Sequence, residues 1–158
     1  MGRLTVLALR TVIALAFAGS LVVQLLMIPM TAINDERAGN DLSARDVALM
    51  AIAVLALLCM QVVAVCVWRL LTMVRKGTVF SHGAFRFVHT VIAAVSTASA
   101  LVLVFGALLA PGDDVPPGMV LLIGGVAVVL AGVALIVAVM RALLAQAVDL
   151  RSELDEVI

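Results

Sequence analysis

Two cysteines and two histidines are the residues best suited to redox or metal chemistry in this sequence. Cys59 and Cys66 lie in one apolar stretch, and in a straight helix they would be roughly 10 Å apart along the axis, too far for a disulfide. His82 and His89 are also seven residues apart, on one face of a single predicted helix, whereas haem held between helices of a bundle takes histidines from different helices. We therefore expect inert thiols, no metal site and no cofactor.

Two amide side chains, Gln24 and Gln61, lie inside the long apolar stretches, which contain no Asp, Glu, Lys or Arg. Proton-coupled carriers need an ionisable group within the bilayer, so this composition argues against such transport. The two amides are interpreted most simply as interhelical hydrogen-bonding groups, and a ligand site inside the bundle is the alternative. The sequence has no nucleophile–base pair, glycine-rich phosphate loop or zinc pattern, and we expect no enzymatic activity.

The elements that hold these residues follow from the apolar composition. Hydrophobic residues make up 65% of the chain, charged residues 13%, and the mean hydropathy is +1.29. A soluble domain is about half apolar and a quarter charged. Helices rise about 1.5 Å per residue, and a hydrocarbon core about 30 Å thick therefore needs about 20 residues. The sequence predicts an all-α, antiparallel four-helix transmembrane bundle, built from the uncharged stretches 11–33, 47–68, 87–110 and 115–140.

We expect one integral membrane domain over residues 1–158. The helices should extend somewhat beyond the uncharged stretches, which gives spans at about 8–33, 47–73, 84–110 and 117–146 and a short tail at 147–158. The first stretch has small residues before Gly19, as a signal peptide does at its cleavage site. Because the apolar run continues past Gly19 to a spanning length, we expect a retained helix.

The basic residues predict the orientation. One end of the predicted bundle, here called the basic end, has Arg3, Arg10, Arg69, Arg75, Lys76, Arg86, Arg141 and Arg151. The other, here called the acidic end, has only Arg37 and Arg45, together with Asp35, Glu36, Asp41, Asp46, Asp113 and Asp114. Lys and Arg favour the cytoplasmic side. We therefore expect a multi-pass protein of the bacterial inner (cell) membrane with both termini cytoplasmic, and no direct contact with nucleic acid.

The link before the third span combines a helix cap with clustered aromatic residues. Ser81 is suited to an N-cap, and Phe80 and Phe85 then have the spacing of a hydrophobic staple. Aromatic rings favour the headgroup layer, so membrane anchoring is the simpler interpretation and partner docking the alternative. The candidate docking face of the link comprises Arg75, Lys76, Phe80, Ser81, His82 and Phe85.

The end of the chain is expected to continue the fourth span as an amphipathic helix. Its apolar residues follow an i, i+4, i+7, i+8 pattern, typical of one helix face. These residues extend the candidate docking face, and they are Leu150, Leu154, Val157 and Ile158.

Small residues recur along the fourth span with a period of about 3.5. Close helix packing in lipid favours such residues, and we predict an intramolecular packing seam, with a homodimer seam as the alternative. The seam is Gly124, Ala127, Ala131, Ala134 and Ala138. A comparable stripe, Ala93, Thr97 and Ala100, is predicted for the third span.

Two segments, Gly77-Thr-Val-Phe-Ser81 and the end from Asp149 to Ile158, resemble the corresponding parts of a bacterial family. The family is catalogued as domain of unknown function 2975 and comprises small four-span membrane proteins. Its members are often encoded beside a small helix-turn-helix regulator. The resemblance therefore implies a membrane partner for a transcription factor.

Two functions from different classes fit these observations. The first is a non-enzymatic regulatory or sensory membrane protein that docks a cytoplasmic partner, such as a small helix-turn-helix regulator. The alternative is a bundle that binds a small molecule or membrane lipid, of the permease or immunity type, with Gln24 and Gln61 in its interior. A binder needs a cavity of a few hundred Å³ with convergent polar groups, which a docking protein does not need.

Overall fold

A computed structural model describes the backbone of residues 3–37, 39, 43–75, 82–111 and 115–156. Side chains are described for residues 6–34, 37, 39, 43–73, 86–111 and 115–147. Over these ranges the chain is helical and has no strand. Its elements are α1 (Arg3–Val22), a π-helical turn (Val23–Met27), α2 (Ile28–Arg37), α3 (Ala44–Arg75), α4 (His82–Leu109) and α5 (Pro117–Glu156).

Four segments are long and apolar enough to cross a membrane: Val6–Asn34, Ala44–Met73, Arg86–Leu109 and Pro117–Ala147. The first includes α1, the π turn and α2, and the others lie within α3, α4 and α5. Successive segments are joined by short connections, so neighbouring helices run in opposite directions. The chain is a multi-pass membrane protein with the predicted helical bundle fold.

The sequence pattern predicts the first span as one continuous helix. In the structure, a π-helical turn at Val23–Met27 interrupts this helix. The amide of Ile28 donates to the carbonyl of Val23, five residues back. Pro29 accounts for the break, because proline has no amide hydrogen and its ring crowds the carbonyl of Leu25, four residues earlier. A widened turn just before the proline accommodates that carbonyl.

The ends of α3 and α4 at the acidic end are held by local hydrogen bonds. The Ser43 amide donates to Asp46 Oδ2 at 3.1 Å, and the Arg45 amide donates to Ser43 Oγ at 3.3 Å, which together cap the start of α3. The Arg45 guanidinium donates to the carbonyls of Leu108 (3.1 Å) and Leu109 (3.5 Å). These carbonyls have no partner further along α4, so Arg45 caps a helix other than its own.

The closest packing is among α3, α4 and α5, with α4 in contact with both of the others. A cluster of buried side chains joins all three helices: Cys66 from α3, Val91 and Val95 from α4, and Ala134 from α5. Val63, Phe87 and Leu130 pack around it. The first span contacts this group mainly through α1 on α3, and none of its described side chains is fully buried.

Helices α4 and α5 approach most closely where small residues meet. Ser99 Oγ donates to the carbonyl of Ala127 at 2.7 Å, which requires the two backbones to lie close together. Nearer the acidic end, a Cβ added to Gly106 would lie 3.1 Å from Ile123 Cγ2. A side chain at position 106 would therefore push against α5.

The small-residue stripe predicted for the third span was wrong. Ala93, Thr97 and Ala100 are exposed, and the Thr97 hydroxyl donates to the carbonyl of Ala93 in its own helix. The buried face of α4 instead contains Val91, Val95, Ala98 and Ser99. Small residues occur on several faces of this Ala-rich helix, so their spacing alone could not indicate the side on which the neighbouring helices pack.

Candidate functional site

The amides singled out in the sequence meet between the first span and α3: Gln24 lies in the π-helical turn and Gln61 on α3. Gln61 Nε2 donates to Gln24 Oε1 and to Ser20 Oγ, both at 2.9 Å. Gln24 Nε2 in turn donates to the carbonyl of Val54 at 3.2 Å. These four groups, here called the amide junction, satisfy one another across two helices. Their hydrogen bonds stabilise helix association within the membrane.

A second polar contact between the same helices lies nearer the basic end. The Arg10 guanidinium donates to Thr72 Oγ1 at 3.1 Å. Its central carbon lies 5.1 Å from the centroid of the Trp68 ring, within the range of a cation–π interaction. Within the described part of the chain, Arg10 Nε is buried and has no hydrogen-bond partner.

Between these two contacts, α1 and α3 form an apolar groove of about 380 Å³ that is open along one side. Here it is called the α1–α3 groove. Its walls are mostly small or apolar side chains, and Trp68 and Arg69 lie at its basic end. The other lining residues are Ile13, Ala14, Phe17, Ala18, Leu21, Ala64 and Val65.

Both cysteines are free thiols. Cys66 is buried in the three-helix cluster, and Cys59 is half-buried on α3, nearer the acidic end. His89 is exposed on α4, while the side chain of His82 lies outside the described residues. Among the residues searched, no three His, Cys, Asp or Glu side chains are close enough to hold a metal ion.

Two residues of the predicted seam of α5 pack within the same chain: Ala127 meets Ser99 of α4, and Ala134 joins the three-helix cluster. Ala127 and Ala134 are buried, and Gly124, Ala131 and Ala138 are half-buried. The opposite side of α5 is highly exposed, as at Leu121 (79%) and Leu135 (67%).

The candidate docking face lies almost entirely outside the described side chains. The backbone places Arg75 in the last turn of α3, and His82 and Phe85 in the first turn of α4. Leu150 and Leu154 lie on the helical end of α5. Lys76, Phe80, Ser81, Val157 and Ile158 lie outside the described residues, as does the predicted cap.

Three contacting residues were not identified by sequence reasoning as a group: Arg10, Trp68 and Thr72. Arg10 contributes to the charge bias that predicts the orientation. Trp68 and Thr72 are four residues apart on one helix face, a pattern visible in the sequence. Their pairing with Arg10 depends on the rotation of α1 against α3, which the sequence pattern does not indicate.

Comparison with known proteins gives one match. The model of the family described as protein of unknown function (DUF2975) matches residues 30–158. The match begins in α2 and includes α3, α4 and α5. No curated protein and no solved structure matches the chain.

Proposed function

This chain belongs to the DUF2975 family, whose function is unknown, and we propose that it is a regulatory or sensory protein without enzymatic activity. In this proposal it resides in the bacterial cell membrane and docks a cytoplasmic protein at its basic end. A small helix-turn-helix regulator is the partner that the family resemblance favours. The observation that carries the proposal is the helical end of α5.

Helix α5 does not end where its apolar segment ends. The apolar segment reaches Ala147, and the helix continues through residues 148–156, about 14 Å further along its axis. A helix of this length would be marginal in water by itself, and a partner covering one face would stabilise this extension. Leu150 and Leu154 lie one helical turn apart on it, the spacing of a single helix face.

Charge favours a protein surface over lipid headgroups as the cover for this extension. Its acidic residues, Asp149, Glu153, Asp155 and Glu156, outnumber the single basic residue, Arg151. The inner leaflet is anionic and repels such a segment. A partner with basic side chains around an apolar groove would complement it, and DNA-binding regulators commonly have basic surfaces.

The charge asymmetry of the chain supports a cytoplasmic position for this end. Eight of the ten basic residues lie at the basic end, where α3 ends, α4 begins and α5 continues beyond its span. Arg45, one of the two exceptions, is engaged in capping α4. The excess of Lys and Arg at the basic end is the pattern typical of cytoplasmic loops.

The interior of the described bundle gives less support to a polar small-molecule site. Gln24 and Gln61 donate their amide hydrogens to groups of α1 and α3 and do not line the α1–α3 groove. A second groove of about 270 Å³, between α3, α4 and α5, is lined by apolar side chains such as Ile52, Phe105 and Val126. Convergent polar groups would be expected in a site for a polar ligand.

Deletion of residues 150–158 tests the proposal. The tagged full-length chain and the deletion variant would be purified from native membranes, and the co-purifying helix-turn-helix regulator quantified alongside thermal stability. We expect the regulator to be lost and the stability of the bundle to be unchanged. Leu150→Ser with Leu154→Ser should have the same effect, because it removes only the apolar edge.

Ser152→Ala is the matched control, since it lies on the same helical extension but outside the apolar edge. A loss of stability without loss of the regulator would mean that the tail packs on its own bundle, contrary to the proposal. Unchanged stability together with unchanged co-purification would also contradict it.

A further inference from the structure

We infer that the α1–α3 groove is a binding site for one anionic glycerophospholipid, whose acyl chain lies in the groove and whose headgroup phosphate is bound by Arg69, with the charge of Arg10 beside it. This site is separate from the proposed docking face and does not depend on it. The inference rests on the shape of the groove, its position in the membrane and the charges at one end.

The groove has the apolar lining of an acyl-chain site and is long enough for part of one chain. Its walls on α1 extend from Ile13 to Leu21, about 12 Å along the helix axis. Small side chains, such as Ala14, Ala18 and Ala64, keep α1 and α3 from filling the space between them. Because the groove lies within two spanning segments and is open along its side, a lipid tail can enter from the bilayer.

Polar contacts join α1 to α3 at both ends of the groove. The amide junction joins α1 to α3 toward the acidic end, and the Arg10–Thr72 hydrogen bond joins them toward the basic end. Few other contacts hold α1 to α3, so apolar packing does not close the space between these two points. An acyl chain placed there would gain van der Waals contact with both walls.

The basic end of the groove has the groups that bind a phosphate. Arg69 lines this end and is exposed, and Arg10 stacks on the Trp68 ring that also lines it. The described contacts of Arg10 are with Thr72 and Trp68, so no carboxylate among the described residues neutralises its charge. A phosphate oxygen would accept a charge-assisted bond from the exposed Arg69 guanidinium, and the nearby charge of Arg10 would add to the attraction.

Trp68 and the two arginines indicate the depth of the ligand's headgroup in the membrane and the charge of that headgroup. A tryptophan favours the headgroup layer, so Trp68 places the two arginines at the level of lipid phosphates. Two positive charges favour a headgroup with net negative charge, such as phosphatidylglycerol. The ammonium group of a zwitterionic headgroup would be repelled by the same arginines.

Native mass spectrometry of the detergent-purified full chain tests the inference. Phosphatidylglycerol and phosphatidylcholine with identical acyl chains would be titrated separately. We expect one phosphatidylglycerol to bind at about tenfold lower concentration than phosphatidylcholine. Arg69→Gln should remove most of this preference, and Arg10→Gln combined with Arg69→Gln should abolish it.

Three controls make the result specific. Arg141→Gln removes a charge at the same end but on α5, away from the groove, and should leave the preference intact. Ala64→Phe fills the groove without changing any charge and should weaken binding of both lipids, whereas Ala51→Phe, on an exposed part of α3, should not. Inorganic phosphate at millimolar concentration should not displace the lipid.

Equal effects of Arg69→Gln and Arg141→Gln would overturn the inference, because the preference would then reflect overall charge. Displacement by inorganic phosphate would mean a free-anion site, and unchanged binding in Ala64→Phe would mean that no acyl chain occupies the groove. Arg69 makes no described hydrogen bond to α1, so its substitution tests the site even if Arg10→Gln loosens that helix.

Discussion

Arg45 and Arg10 show how a basic side chain can serve the structure of a membrane bundle. Arg45 bonds to the last carbonyls of α4, and Arg10 joins α1 to α3 through Thr72 and Trp68. The sequence indicates the charge bias to which both residues contribute. It does not indicate their partners, because these contacts depend on how far each helix is rotated about its axis.

The role of the two glutamines could be predicted from the sequence more fully than the partners of the arginines. Gln24 and Gln61 were interpreted as interhelical hydrogen-bonding groups, because an unpaired amide is costly in lipid. The structure makes them partners of each other. Ser20 was not predicted to join them, since serine in a helix commonly bonds to its own backbone, as its hydroxyl also does here with Phe17.

We expect Gln61→Leu to lower the free energy of unfolding by about 1 kcal/mol, because two interhelical hydrogen bonds are lost. Reversible unfolding in mixed micelles measures this change. In a double-mutant cycle with Gln24→Leu, the two substitutions should be less than additive, since they share a bond.

The control for this cycle is Thr97→Val, which removes a hydroxyl that bonds only within α4. Its effect should be small and additive with Gln61→Leu. Full additivity between the two glutamine substitutions would show that the amide junction does not form.

At the scale of the helices, the sequence predicts four long apolar helices, and the described residues include four such segments. Helix α5 continues beyond its apolar segment to Glu156, whereas the expected N-cap at Ser81 lies outside the described residues. The break in the first span was not predicted, although Pro29 was its signal. Hydrophobicity alone describes this span as continuous, because proline interrupts the hydrogen-bond pattern without interrupting the apolar run.

The close approach of α4 and α5 gives a prediction at this scale. Gly106→Val should destabilise the bundle by about 1–3 kcal/mol relative to the wild type, because the added side chain meets Ile123. The free energy of unfolding in micelles is the measurement.

Gly125→Val is the matched substitution on α5, where an added Cβ has no atom within 4 Å. It changes helix propensity by the same amount as Gly106→Val but causes no overlap. Equal destabilisation by the two variants would show that α4 and α5 are not in close contact at Gly106.

At the scale of the whole molecule, three helices pack closely and the first span lies against one side of them. The family match, over residues 30–158, includes all of α3, α4 and α5, and α1 precedes it. The sequence predicts four spans because each one is long and apolar. It does not predict that α1 lies mainly against α3 among these three helices, with polar contacts between them, because a lipid-facing helix and a packed helix have similar compositions in membrane proteins.

The proposal of a docking face requires that the basic end faces the cytoplasm. This central claim is tested most directly by an impermeant thiol reagent in intact cells. The variants would have Cys59 and Cys66 replaced by alanine and one new cysteine, either Asn40→Cys in the connection between α2 and α3 or Ser152→Cys on the extension of α5.

Asn40→Cys should react in intact cells, and Ser152→Cys should react only after the membrane is permeabilised, because the basic residues hold the opposite end inside. The same two variants treated after permeabilisation show that both cysteines are accessible to the reagent. Labelling of Ser152→Cys but not Asn40→Cys in intact cells would place the basic end outside and contradict the account.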